Sequence, residues 1–127
     1  MREVPERDEF YLGMAFWAAS KSKDPNTQCG AFIIGKDNSP IGWGYNGPPR
    51  KIKDESIKWT RPEKYDYIIH AEVNAISHSK ASLEGATIYV TAKPCKNCIL
   101  NIINSGISRV VYFPFSNLCR VIGLAID

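Results

Sequence analysis

Three short stretches constrain this chain more than any other feature. They are "HAEVNAI" at 70–76, "ATIYVT" at 86–91 and "PCKNC" at 94–98. The first opens an amphipathic run that predicts a helix from His70 to Lys80, with Ile69, Val73 and Ile76 as its apolar stripe. The third opens another helix, from Cys95 to Asn104, stopped by "SG". Between them lies a β-branched and aromatic strand, and "RVVYF" at 109–113 supplies the next one. Helices alternating with strands require parallel pairing and crossover connections, so the chain must lay helices on a sheet.

The remaining segments fit around that frame. From about Pro5 to Ser22 the pattern is helical, with Phe10, Met14, Trp17 and Ala18 at three- and four-residue spacing and "KDPN" as the stop. "CGAFII" and "PIGWGYN" read as two short strands around the turn-rich "GKDNSP". Residues 48–68 carry three prolines and mixed charges, and read as a long surface loop of the kind that usually serves function. "NLCRVIGLAID" is apolar and fits helix or strand equally. With 127 residues and no repeat or linker, residues 1–127 make one three-layer α/β domain with a mixed sheet.

The chemistry sits at the two helix starts. Cys95 and Cys98 are three apart and share one helix face, so they can share a metal. Pro94 marks the helix entrance, where unpaired amides and the helix dipole favour thiolate. Two sulfurs suit zinc, and His70 at the other helix start is the candidate third ligand. Two helix N-termini aimed at one cation repel it, and the thiolate charges must offset that. Glu72 is only two residues from His70, and two ligands on one helix face stand four apart. Glu72 is therefore placed beside the metal as a proton shuttle rather than as a ligand. A structural zinc would need a closed four-ligand site, and no second pair at helical spacing exists. Cys29 and Cys119 are isolated among apolar residues, and His78 is expected on the exposed side.

Composition narrows the class. A 44% hydrophobic, 23% charged chain is globular, and a net charge of +3 suits a small anionic ligand but is meagre for nucleic acid. No run is long enough to span a membrane, and "MREVPERDEF" is charged where a signal peptide would be apolar, which points to a cytoplasmic protein.

The order H-x-E, then P-C-x-x-C, is the signature of zinc-dependent base deaminases. With "FYLGMAFWAASKSKDPNTQCGAFII", "GWGYNGPP", "YDYIIHAEVNAI", "TIYVTAKPCKNC" and "INSGISRVVYF", the chain resembles the zinc-dependent cytidine deaminase superfamily, and within it the deoxycytidylate (dCMP) deaminases. "SKDP" and "GYNG-x-P" carry the closer likeness. The resemblance implies an α/β/α fold with a five-stranded mixed sheet and hydrolysis of dCMP to dUMP and ammonia. It implies one catalytic zinc per chain on His70, Cys95 and Cys98, with Glu72 moving protons between water, N3 and the leaving amine. It further implies that the Ala71 amide binds the base carbonyl and that Asn46 binds the sugar 3′-hydroxyl.

Ser22 and Lys23 are candidates for the 5′-phosphate, although Lys23 reads equally as a solvated lysine at a helix C-terminus. Tyr112 or Tyr67 is a candidate to stack on the base, and both read equally as core. Relatives of this kind are hexamers regulated by dCTP and dTTP with Mg²⁺, bound at the segment matching Gly44, Tyr45, Asn46, Gly47 and Pro48. "NGPP" is also an ordinary tight turn, and Arg50, Lys51 and Lys53 behind it suit a triphosphate or a soluble loop. Some relatives carry a further structural zinc in that loop; residues 48–69 here contain neither His nor Cys. The segment after "RVVYF" does not match the family's usual continuation. The alternatives are a deaminase of another base (cytidine, guanine, or adenosine in transfer RNA) and a non-catalytic zinc-stapled module. In the latter, Glu72 is only a dipole-favoured carboxylate.

Overall fold

The structure is a computed structural model, and it describes residues 1–114 and 116–118. The elements run α1 (Arg7–Ala19), β1 (Gly30–Ile34), β2 (Pro40–Tyr45), α2 (Ala71–Ser77), β3 (Thr87–Val90), α3 (Lys96–Asn104), β4 (Arg109–Tyr112) and β5 (Ser116–Leu118). The long segment between β2 and α2 holds two 3-10 turns, Asp54–Ser56 and Glu63–Asp66. Of "NLCRVIGLAID", residues 117–118 fall in β5, and Cys119 onward lies outside the described residues.

The strands form a mixed sheet in the order β2-β1-β3-β4-β5, with a three-residue β5 at one edge. β3 and β4 are parallel and neighbouring, as their crossover through α3 requires. β2 and β3 also run the same way but are separated by β1, antiparallel to both. The parallel crossover expected from the sequence is therefore direct for α3 and skips one strand for α2. Both helices begin where β2 and β3 end, so their N-termini gather at the C-terminal edge of the sheet, the usual place for a ligand in α/β domains.

Alternation along the strands makes two cores. Ala31, Ile33, Ile88, Val90 and Val110 point to the face covered by α2 and α3, where they meet Ala71, Ala75, Ile99 and Ile102. Phe32, Ile34, Tyr89 and Val111 point to the face covered by α1, against Leu12 and Ala15. Among the described residues these make three layers, α1, sheet, and α2 with α3.

Helix packing differs from the expected stripes. α1 buries Leu12, Ala15, Ala18 and Ala19, while Phe10 and Trp17 are exposed. A side chain on Gly30 would strike the Ala15 carbonyl, so α1 lies almost against β1, and only small residues fit the seam. α2 likewise buries Ala71, Glu72 and Ala75, leaving Val73 and Ile76 half-buried. A Cβ on Gly44 would lie 2.5 Å from the Ala75 nitrogen and 2.9 Å from the Ala71 oxygen. The expected stripes hold in part, with Ala18 buried and Met14 and Ile76 packed on the cores, and fail at Phe10 and Trp17 because closeness of backbone, not side-chain size, decides these seams. At the far end, Tyr89 donates to Asp8 (2.8 Å) and Arg109 forms an ion pair with the same carboxylate, fixing the start of α1 to β3 and β4. The arginine neighbour holds the Asp8 carboxyl below its ordinary value despite partial burial.

Candidate metal centre

α2 and α3 each deliver a ligand from the position just before the first helical residue. His70 is the N-cap of α2 and makes no side-chain cap bond, which leaves its ring for other partners. Cys95 is the N-cap of α3, and its sulfur accepts the backbone N–H of Cys98 at 3.4 Å. His70 Nδ1 lies 3.2 Å from Cys98 Sγ and 3.5 Å from Cys95 Sγ. The three donor atoms are all within 4.8 Å of one another. Tetrahedral zinc, with bonds of about 2.3 Å to sulfur and about 2.0 Å to nitrogen, sets N···S separations of about 3.5 Å. The residues present fit zinc by geometry and by donor type.

Electrostatics run against the thiolate expected at this helix start, because burial outweighs the helix dipole. Burial, with the Glu72 carboxylate beside it, pushes the Cys98 thiol far above its ordinary range. Cys98 is only 2% exposed, so a thiolate there is tolerable only against a cation. Glu72 is 5% exposed in the first turn of α2. Burial raises its carboxyl, opposed by its own backbone amide, by His70 and by a hydrogen bond with Cys98. Glu72 thus borders the donor trio without belonging to it, as its spacing from His70 implied. Ala71 is the first residue of α2, so its amide belongs to the set with no acceptor inside the helix.

Asn46 is buried and engaged at both ends: Oδ1 accepts the Cys29 N–H (2.8 Å) and Nδ2 donates to the Thr27 carbonyl (2.8 Å). It fixes the strand start, with one lone pair and one proton left over. Ser22 donates to the Asn46 carbonyl at 2.9 Å. Tyr112, half-buried, packs on the core beneath α2 and α3, and Tyr67 is half-exposed.

Gly44, Tyr45, Asn46, Gly47 and Pro48 line a separate cleft of about 970 Å³ along the β2 edge. His70, Glu72, Cys95 and Cys98 are not among its walls, but Lys23 is, ion-paired there with Asp54. Lys21, Arg50, Lys51 and Lys80 make the cleft basic. His78, expected on the exposed side, is half-buried in this wall and accepts a hydrogen bond from Arg50 Nε at 3.1 Å. Burial, and then the nearby charges of Arg50 and Lys80, hold its imidazole below the ordinary value.

The sequence reading missed one feature, a buried ion pair between Lys64 and Asp24. Asp24 in "KDPN" signalled only a turn, and a lysine in a charged loop carries no signal of burial. No helix among the described residues is long and apolar enough to cross a membrane.

Residues 5–114 match the family model described as the cytidine and deoxycytidylate deaminase zinc-binding region. The deoxycytidylate deaminase of Homo sapiens is 39% identical over 114 residues, covering 84% of this chain and 64% of that protein. This chain thus spans less than two thirds of that relative's length. The deoxycytidylate deaminase of Mycobacterium phage D29 is 38% identical over 122 residues, covering 85% of this chain and 94% of that one. Among solved structures, the dCMP deaminase of cyanophage S-TIM5 in complex with dCMP and dUMP superposes with a TM-score of 0.70 at 27% identity, covering 87% of this chain and 83% of that one. The histidine and two cysteines gathered at the helix starts, the layered fold around them and the match over most of the chain make this protein a member of the cytidine and deoxycytidylate deaminase family.

Proposed function

We propose that this protein hydrolyses dCMP to dUMP and ammonia. The observation that carries the reading is Glu72, buried beside His70 and Cys98 yet outside the donor trio. His70, Cys95 and Cys98 would hold zinc, and the metal when bound would supply the Lewis acidity that makes a water molecule nucleophilic near neutral pH. Glu72 takes a proton from that water and gives it to N3 of the cytosine, then takes the second proton from the oxygen newly bonded to C4 and gives it to the amine as it leaves. Oxygen is bonded to C4, the C4–N bond breaks, and the proton count closes on dUMP and ammonia. The free amide of Ala71 is suited to the base carbonyl, and the spare valences of Asn46 to the sugar 3′-hydroxyl. Ser22, beside Asn46, remains the candidate for the 5′-phosphate and Tyr112 for the base, whereas Lys23, paired with Asp54 in the basic cleft, would have to leave that partner to reach the phosphate. The likeness to named deoxycytidylate deaminases supports the choice of dCMP.

The basic cleft supports a regulatory reading. Its cations suit a triphosphate with Mg²⁺, such as activating dCTP or inhibiting dTTP, in a cytoplasmic homohexamer that supplies dUMP for dTTP synthesis. An ultraviolet deamination assay on zinc-quantified protein tests both parts. It compares dCMP with deoxycytidine, with and without dCTP–Mg²⁺ and dTTP. Turnover of dCMP that Glu72→Gln abolishes supports the enzyme, and bound zinc without turnover of either substrate overturns it.

A further inference from the structure

Among the described residues, Lys64 is the only lysine or arginine that is buried. Its ammonium donates to both oxygens of Asp24, at 2.8 and 2.9 Å, and to Asn26 Oδ1 at 3.2 Å. All three protons are thereby used. Asp24 Oδ1 also accepts the backbone N–H groups of Asn26 (2.9 Å) and Thr27 (3.2 Å). The pair joins two segments far apart in sequence: the turn that leads from α1 into β1, and the chain that leads into α2.

The second segment matters for chemistry. Lys64 stands six residues before His70, and its carbonyl accepts the N–H groups of Tyr67 and Ile68. Ile69 then exchanges both backbone hydrogen bonds with Gly47, at 2.8 and 3.1 Å. The approach to His70 is thus held at two points, by the ion pair and by the Gly47 bridge. Residues 58–63, just upstream, are mostly exposed and supply little packing of their own. Burying a lysine and an aspartate is a poor route to stability, because desolvation offsets most of the attraction and an apolar pair serves as well. What a fully bonded pair provides and an apolar pair does not is a single directed geometry.

We propose that Lys64 and Asp24 are positioning residues for the metal centre, clamping the segment that presents His70 and Glu72. The proposal rests on the deaminase reading for its catalytic part only. The test is the double variant Lys64→Met with Asp24→Asn, which removes both charges and keeps an acceptor for the Asn26 and Thr27 amides. Thermal melting should stay close to wild type. Zinc should pass to a chelator about 10- to 100-fold faster, and the cobalt-substituted protein should show an altered thiolate–cobalt spectrum. The kcat for dCMP should fall by a similar factor with KM changing much less. Wild-type zinc-loss rate, cobalt spectrum and kcat in the double variant would overturn the proposal. Should that variant not fold, Lys64→Arg keeps the charge but changes its geometry, and an unchanged zinc-loss rate there overturns it equally. Zinc-loss rate is independent of turnover. A wild type that never deaminates dCMP would sink the deaminase reading while faster zinc loss in the variant still upholds the clamp.

Discussion

The metal centre and the cleft on the β2 edge are opposite in charge, and the centre, though His70 and Cys95 are exposed, has a buried side that the cleft lacks. The first gathers two sulfurs and a carboxylate, with Cys98 and Glu72 almost fully buried. The second gathers five lysine and arginine side chains around an open hollow. Buried anions have no water to turn to, so they are committed to one cation and one geometry. Exposed cations remain hydrated whether or not a ligand arrives, so they can exchange an anion as its concentration changes. The first set of groups suits one tightly held cation, and the second suits a hydrated, exchangeable anion. Gly44 stands between them, lining the cleft while touching α2.

The sharpest break of this contrast is at Glu72. Glu72→Gln should lower dCMP turnover by about 10³-fold or more while zinc content and melting temperature stay close to wild type, because a shuttle is lost and no ligand is. Loss of zinc together with activity would make Glu72 part of the coordination. Removal of the metal comes next. Chelation, or Cys95→Ala, should cost roughly 4 kcal/mol of stability under conditions where zinc is about a thousandfold above its dissociation constant, read as a fall in melting temperature that added zinc reverses only in wild type.

Gly44→Ala tests whether the two regions share a wall. The new methyl meets the Ala75 backbone, so stability should drop by about 1–3 kcal/mol, measured by urea unfolding. An unchanged midpoint would show that α2 can shift at no cost. In the cleft, Arg50→Ala with Lys51→Ala should weaken dCTP–Mg²⁺ binding about tenfold by calorimetry, since an exposed charge pair contributes about 0.2–1 kcal/mol and two are lost. Smallest is the control remote from both, the Asp8–Arg109 pair on the α1 face. The Asp8 carboxyl is depressed in the fold, so its contribution is complete above the ordinary carboxylate value and disappears as pH falls through the lowered one. Asp8→Asn should cost about 1 kcal/mol at pH 7 and nothing in strong acid, followed by thermal melts across that range.

Much of the metal centre was legible in the sequence because its logic is local. His70 and Cys95 fall at helix starts, and Cys98 follows Cys95 at one turn's spacing. The two-residue offset of Glu72 from His70 set it apart from the donor trio, where the fold also leaves it. The helix seams were not legible. Trp17 looks like core and is exposed, whereas Ala15 and Ala75 look unremarkable and are buried against Gly30 and Gly44, far from them in sequence. Nothing within either segment announces that its partner strand has no side chain there. Asn46 was read for its polar end, and only the fold reveals that this end already braces Cys29 and Thr27.

By itself, then, the sequence determined the alternation of helices and strands, the zinc-type donor set and the separate place of the carboxylate. These follow from the period of apolar residues and from spacing along one helix, properties a chain carries before it folds. Tertiary structure alone decided that β1 intervenes between β2 and β3, that Lys23 belongs to the cleft's wall, and that Lys64 is sealed against Asp24. Each of these joins residues distant in sequence. Such contacts depend on how closely backbones approach and on which charges lose their water, and those are settled only when the layers pack.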